Sequence, residues 1–255
     1  MSSIGKNRVP HIIPLYWVIK IASTTLGETG ADMFSMTLKL GYAQTIAIFM
    51  GVFVLLLVIK LGLKGYHPWV YWLTFTATAI AGTAISDFID RTLGFGYAFG
   101  SALLMTLLLI TLAVWHRREK SINVEYITRS SVEIFYWVAF LFANTLGTAA
   151  GDFLADNLGL GFVNSAIWIS GALILIALLH FFTRVSDTVL FWLAFVLTRP
   201  FGATFGDFLT KPIARGGINF GTVGSSILFC VILVFAVTKE TQLEKGKMDS
   251  STIGT

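Results

Sequence analysis

The stretch LGTAAGDFLADNLGLG, residues 146–161, places an aspartate inside a segment that is otherwise apolar or small enough to enter a bilayer. Charged groups are costly inside a membrane and are retained there chiefly for function. Asp152 therefore raises the question of whether the carboxylate is a single accident or part of a pattern.

Composition identifies the class of protein. Of the 255 residues, 55% are hydrophobic and only 13% are charged, and the mean hydropathy is +0.78. Ordinary soluble domains carry roughly 25% charged residues. Most apolar segments approach the ~20 residues that a spanning helix needs, which predicts an all-α polytopic membrane protein with eight transmembrane helices. The segments are 12–33, 42–59, 69–89, 97–115, 134–153, 162–182, 188–209 and 218–238.

Basic residues in the connecting loops predict the orientation. Twelve lie on the side of the termini and four on the opposite side, so the positive-inside rule predicts that both termini are cytoplasmic. The twelve are Lys6, Arg8, Lys60, Lys64, Arg117, Arg118, Lys120, Arg129, Arg184, Lys239, Lys245 and Lys247. The four are Lys39, Arg91, Lys211 and Arg215. Because the basic residues lie in short loops between spans, the net charge of +4 does not indicate a nucleic-acid partner.

The aspartate of the opening stretch recurs in a fourfold pattern. Each copy reads W-x9-G-x4-D-x8-G, and successive copies start 55, 65 and 55 residues apart. The tryptophans are Trp17, Trp72, Trp137 and Trp192; the first glycines are Gly27, Gly82, Gly147 and Gly202; the aspartates are Asp32, Asp87, Asp152 and Asp207; the last glycines are Gly41, Gly96, Gly161 and Gly216. Such self-similarity indicates a repeat protein.

The repeats predict the organisation of the chain. Each copy is one pair of helices, so all four copies share one orientation and are parallel repeats. We expect a first half at 1–115, a basic cytoplasmic linker at 116–133, a second half at 134–238 and a polar cytoplasmic tail at 239–255.

At this point the chain resembles the bacterial multi-pass inner-membrane proteins that are built from four tandem two-helix repeats with a characteristic tryptophan. The resemblance covers about residues 14–238. It implies a bacterial inner-membrane location and the repeat architecture, and it supplies no substrate.

The helices of a repeat differ in polarity. The second helices are uniformly oily, whereas the first ones carry the glycines, hydroxyls and charges, so we predict four odd-numbered helices at the centre and four even-numbered ones outside. Small residues ten and fourteen positions after each tryptophan predict close helix contacts. A neighbouring polar stripe ends in the aspartate in every repeat and could line a path.

The aspartates are the first candidate site. They lie fifteen residues after tryptophans that we interpret as interfacial anchors, which is ~22 Å of helix and places them toward the outer side of the membrane. Such carboxylates need cations, protons or basic partners, and Lys39, Arg91, Lys211 and Arg215 are the candidates on that side. The alternative is that each aspartate only caps its helix or pairs with a neighbour.

Three charged residues break the fourfold pattern. Glu28 has no acidic counterpart and is the leading candidate for function. Lys20 is expected to extend toward the cytoplasmic interface or to act in gating or charge pairing. Arg199 lies near mid-membrane and requires a partner such as Glu28, in a gate or in a structural clamp.

These residues predict a secondary transporter or exporter of a small cation. Oxygen ligands predominate, which favours a hard divalent ion such as Mn²⁺, coupled to protons, as substrate. The predicted ligands are Glu28, Asp32, Asp87, Asp152 and Asp207, together with Thr25, Thr148 and Asn144. We expect no cofactor and no enzymatic activity, because no catalytic motif occurs. The alternative is a membrane-embedded sensor or scaffold without transport, and the sequence leaves oligomeric state open.

Overall fold

The structure, a computed structural model, describes residues 7–122, 124 and 127–253, with side chains described as far as residue 246. Parts of the predicted linker (123, 125 and 126) and of the predicted tail (254 and 255) lie outside the described residues, as does Lys6, one of the twelve basic residues. The side chain of Lys247 also lies outside the described part.

The described chain is helical throughout and forms eight long α-helices. They are α1 (Pro14–Asp32), α2 (Tyr42–Gly62), α3 (Pro68–Asp87), α4 (Gly96–Glu119), α5 (Ser130–Asp152), α6 (Gly161–Phe182), α7 (Asp187–Thr210) and α8 (Thr222–Ile253). Helix α8 continues well beyond the apolar segment, because the polar tail is rich in the helix formers Lys, Glu, Gln and Leu.

Seven of these helices, all except α1, are long and apolar enough to cross a membrane. Helix α1 falls short because Lys20, Glu28 and Asp32 lower its hydropathy. Helices α2–α8 are therefore candidate membrane spans by length and composition.

The odd-numbered helices form a closed ring in which α1 packs on α3, α3 on α5, α5 on α7 and α7 on α1. The even-numbered helices lie outside: 78% of the apolar window of α3 is buried but only 17% of that of α2. This is the arrangement that the difference in polarity predicts.

The packing unit, however, is not the helix pair of one repeat. Helix α2 packs on α3, α4 on α5, α6 on α7 and α8 on α1, so each outer helix covers the inner helix of the next repeat. The sequence defines the repeat but cannot tell which inner helix an oily outer helix covers, and α8 closes the ring by covering the first helix.

The glycine ten residues after each tryptophan explains how the ring helices approach one another. In every repeat this glycine lies against the ring helix of the next repeat. The contact on that helix is the residue seven positions after its tryptophan, or the immediate neighbour of that residue. The contacts are Gly27 with Ala79, Gly82 with Asn144 and Thr145, Gly147 with Arg199 and Pro200, and Gly202 with Thr24. The predicted structural role of these four glycines is therefore confirmed by their contacts.

Three ring helices end in a π-helical turn immediately after the repeated aspartate. These turns are Met33–Thr37, Phe88–Thr92 and Phe153–Asn157. The fourth repeat carries Pro212 at the corresponding position and lacks the turn, because proline has no N–H to continue the helix. Single π-helical turns inside α-helices occur frequently at functional sites.

The tryptophans lie inside the bundle, which corrects their interpretation as interfacial anchors. Of the four repeat tryptophans, Trp72, Trp137 and Trp192 are buried and Trp17 is partly exposed. The indole N–H of Trp72 donates to the Glu240 carboxylate at 2.6 Å, and that of Trp192 donates to the Ile122 carbonyl at 3.3 Å. Their aromatic neighbours turn inward with them, so the amphipathic ring is used to fill the core rather than to contact lipid headgroups.

Candidate functional site

The four repeated aspartates lie in one layer at the end of the ring, which we call the carboxylate end. Asp32, Asp87 and Asp152 are the last residues of α1, α3 and α5, and Asp207 lies near the end of α7. All four are buried. The first three make no side-chain capping bond to the π-helical turn that follows, so capping does not account for them.

The layer is organised as two bridged pairs. Lys211 Nζ lies 2.7 Å from Asp32 Oδ2 and 3.0 Å from Asp207 Oδ1. Arg91 Nε lies 3.3 Å from Asp87 Oδ1, and Arg91 Nη2 lies 3.0 Å from Asp152 Oδ2. Two of the four predicted basic partners are thus found at the aspartates.

The two bridging residues occupy equivalent positions. Arg91 and Lys211 each follow the aspartate of their own repeat by four residues and reach the aspartate of the next repeat, so the layer has approximate twofold symmetry. The remaining candidates, Lys39 and Arg215, are exposed.

Glu28 and Arg199 meet in the middle of the ring. Arg199 Nη1 lies 3.4 Å from Glu28 Oε2 and also donates to the Thr24 carbonyl at 3.3 Å. Arg199 Nη2 donates to the Ala79 carbonyl at 3.3 Å and to the Thr83 hydroxyl. The predicted partnership of Arg199 with Glu28 is confirmed.

The carboxylate of Glu28 also accepts hydroxyl hydrogen bonds. Thr83 Oγ1 lies 3.2 Å and Thr148 Oγ1 3.4 Å from Glu28 Oε2. These threonines occupy the position of Glu28 in repeats two and three, so equivalent positions converge on one point of the ring.

Three of the predicted ligands come together closely enough to hold one ion. Carboxylate oxygens of Glu28, Asp32 and Asp207 all lie within 4.8 Å of one another, and all three residues are buried. Asp87 and Asp152 belong to the other bridged pair. The structure therefore divides the five predicted carboxylate ligands into a group of three and a group of two.

The predicted neutral ligands have different surroundings. Thr148 contacts Glu28, whereas the Asn144 amide donates to Thr78 Oγ1 at 2.9 Å. The Thr25 hydroxyl is buried and has no hydrogen-bond partner in the described part of the chain.

Lys20 does not extend toward an interface, which corrects that expectation. Its side chain is fully buried, donates to the Phe195 carbonyl at 2.8 Å and to the Thr198 hydroxyl, and lies 3.8 Å from the centroid of the Phe195 ring. No carboxylate among the described residues forms an ion pair with it, so charge pairing is also wrong for Lys20. The carbonyl, the hydroxyl and the aromatic face together satisfy the ammonium inside the bundle.

A cavity of about 670 Å³ opens at the carboxylate end. Its lining includes Arg91, Asp207 and Lys211 from the two bridged pairs, and Asp156 and Arg215 from the surface. Asp207 of the three-carboxylate group and its partner Lys211 therefore line the cavity directly.

The charges around the aspartates do not cancel. Five buried carboxylates face three basic groups in contact with them, which leaves a formal charge of minus two if all are ionised. Burial alone would lower the pKa of Lys211, which lies beyond the end of α7, but the Asp207 and Asp32 carboxylates raise it above its ordinary value. Lys211 is thus held as an ammonium.

A second buried ion cluster lies at the opposite end, which we call the tryptophan end. Glu133 Oε1 lies 2.8 Å from Lys60 Nζ, and Glu133 Oε2 is ion-paired with Arg8. Arg8 also donates to the Lys60 and Leu61 carbonyls at 3.1 and 2.9 Å. The sequence analysis did not predict this cluster, nor a role for Glu240. Glu133 could have been identified from the sequence, because it is a carboxylate beside the first residues of an apolar segment.

Comparison with known proteins supports the repeat architecture. Four stretches of the chain, 15–66, 70–121, 135–186 and 190–241, match the family model described as Repeat of Unknown Function (DUF347). No curated protein and no solved structure matches the chain.

Proposed function

Because the chain belongs to the DUF347 repeat family, which carries no assigned activity, we propose from the site alone that it is a secondary transporter that exports a small cation. The observation that carries the proposal is the convergence of the Glu28, Asp32 and Asp207 carboxylates, of which Asp207 lines the cavity. Intramembrane ionisable groups that face a bundle interior typically mark an ion pathway.

The chemistry of the ligands favours a hard divalent cation. The converging groups are carboxylates with threonine hydroxyls beside them, and such oxygen ligands suit Mn²⁺ and Mg²⁺ better than copper or zinc. The formal excess of two negative charges equals the charge of one divalent ion or two protons. Exchange of one Mn²⁺ for protons on the same carboxylates would therefore keep the buried layer near neutrality.

The packing of the ring supports alternating access rather than a continuous pore. The cavity reaches the carboxylates from one end, whereas the buried rings of Tyr71, Trp72, Tyr136 and Trp137 fill the tryptophan end. Release to the other side then requires one half of the bundle to move against the other, as in transporters built from internal repeats.

The membrane placement belongs to the same proposal. We place the chain in a bacterial inner membrane with eight spans, α1 included, and with both termini in the cytoplasm. Helix α1 can be polar because α3, α7 and α8 surround it, so that little of it meets lipid. The loop charges favour this orientation.

The test is a flux measurement in proteoliposomes that contain the full chain, with Mn²⁺ and with and without a pH gradient. We expect flux from the wild type and a loss of at least roughly tenfold in Glu28→Gln, which removes one of the three converging carboxylates. Asp187→Asn is the matched control, because that carboxylate is exposed at the tryptophan end and should leave the rate unchanged. Equal rates in Glu28→Gln and the wild type would rule out the site.

One observation favours the alternative of a sensor or scaffold. Every repeated aspartate already has a basic partner, so the layer can also act as a permanent clamp between helices. In that case folded wild-type protein would show neither Mn²⁺ flux nor a change of thermal stability with any divalent ion.

A further inference from the structure

Lys211 already places a cation in the proposed site. Its ammonium bridges Asp32 and Asp207, which are two of the three carboxylates that could hold one ion. A metal ion coordinated by all three groups would have to replace that ammonium, because both would occupy the space between the same two carboxylates.

The side chain has room to leave. Lys211 follows the last residue of α7 directly, and it lines the cavity. A lysine is a point charge on a flexible four-carbon stem, so it can change position at small structural cost.

The equivalent Arg91 is held more firmly. Besides its two aspartates, it donates to the Tyr97 hydroxyl at 3.0 Å and to the Tyr42 hydroxyl at 3.4 Å. A planar guanidinium with several fixed acceptors gains little from movement. Of the two bridges, the lysine bridge is therefore the one suited to exchange.

The carboxylates around the two bridges differ as well. Glu28 adds a third carboxylate to the pair that Lys211 bridges, whereas the equivalent position beside the Arg91 pair is Thr148. A divalent ion at the lysine bridge would therefore have three carboxylates as ligands, whereas the arginine bridge offers only two.

We infer that Lys211 is a tethered competitor: it occupies the site when no substrate ion is bound, and it moves into the cavity when a divalent cation binds to Glu28, Asp32 and Asp207. The inference rests on the proposed function. Such a competitor lowers the apparent affinity for the ion and promotes its release, since the ammonium can return as the ion leaves.

The expected change in ion affinity follows from the fraction of time for which Lys211 occupies the site. A site that is free for only a fraction of the time shows an affinity reduced by that fraction. If Lys211 holds the site for about nine tenths of the time, its removal tightens ion binding roughly tenfold.

The experiment measures Mn²⁺ binding to the full chain in nanodiscs from the electron paramagnetic resonance signal of free aqueous Mn²⁺. Lys211→Met should bind Mn²⁺ about tenfold more tightly than the wild type. Arg215→Met is the matched control, because it removes one positive charge from the same cavity without touching the carboxylates, and it should change the affinity less than about threefold. Lys211→Arg keeps the charge and can bridge both carboxylates at once, so it should weaken binding.

The outcomes separate the inference from the proposed function. Equal or weaker binding by Lys211→Met, with Glu28-dependent binding in the wild type, overturns the inference and leaves the transporter proposal standing. Unchanged or tighter binding by Lys211→Arg overturns it too, even if the methionine variant does not fold. Absence of Mn²⁺ binding in the wild type and in folded Lys211→Met overturns both proposals.

Discussion

The two ends of the helix ring use buried charge in opposite ways. At the tryptophan end, the side chains of Lys60 and Glu133 are fully buried, and Arg8 covers them. At the carboxylate end, the side chains of Lys211 and Arg91 are 17% and 31% exposed and face a cavity. One end is a sealed ion cluster, and the other is an ion cluster within reach of water.

The difference separates structural charges from exchangeable ones. A buried cluster away from water is costly to break, because each remaining partner becomes an uncompensated charge. Ion pairs beside a cavity can be replaced by other ions or by water. In the transport proposal, the structure is therefore a state that is closed on the side of the termini and open on the opposite side.

The largest expected effect comes from breaking the sealed cluster. Glu133→Gln leaves Arg8 and Lys60 without their carboxylate and should lower the free energy of unfolding by about 3–5 kcal/mol. Thermal unfolding of the full chain in detergent measures it. Glu119→Gln is the control, because its partner Arg129 is 74% exposed and the pair contributes only about 0–1 kcal/mol. Similar losses in both variants would contradict the contrast between the ends.

A smaller effect is expected where the ring helices α1 and α3 are in close contact, between the two ends of the ring. A Cβ added at Gly27 would lie 2.6 Å from Ala79 Cβ and 3.0 Å from the Ala79 backbone carbon, so Gly27→Ala should destabilise the protein by about 1–3 kcal/mol. Gly51→Ala is the matched control, because a Cβ there meets nothing within 4 Å and alanine favours the helix. The same unfolding assay tests both variants, and a neutral Gly27→Ala would mean that the ring helices can separate.

The smallest effect concerns pH at the open end. The raised pKa of Lys211 means that its stabilising contribution is complete below the ordinary lysine pKa and is lost only as pH rises through the higher folded-state value. The difference in melting temperature between wild type and Lys211→Met should therefore stay constant between about pH 7 and 9. A difference that shrinks within this range would show that Lys211 loses its proton earlier than the two aspartates allow.

The repeated pattern was sufficient to predict the ring. A glycine at the same offset in each repeat indicates close packing of helices. The contrast between polar and oily helices indicates which helices lie inside the bundle and which lie outside it. Burial cost alone predicted that Arg199 needs a carboxylate and that the aspartates need basic partners, of which Arg91 and Lys211, two of the four candidates, are found there. These inferences succeeded because they depend on helical spacing and on the energy of an unpaired charge.

The predictions that were wrong depend on contacts between segments that are far apart in the sequence. Lys20 was expected to extend toward water because nothing in its own helix shows that the Phe195 carbonyl, 175 residues away, accepts its proton. The Trp72 indole finds its acceptor, Glu240, in the segment that the sequence analysis assigned to the polar tail. The division of four aspartates into two bridged pairs likewise follows from two basic residues that occur in only two repeats.

The most direct test of the central claim is a crystal or cryo-EM structure of the full chain with Mn²⁺, with the ion located in the crystal by anomalous scattering. The account predicts one ion between the Glu28, Asp32 and Asp207 carboxylates, with Lys211 Nζ displaced into the cavity. Lys211 still bridging Asp32 and Asp207 at saturating Mn²⁺, with no ion among the three carboxylates, would contradict it.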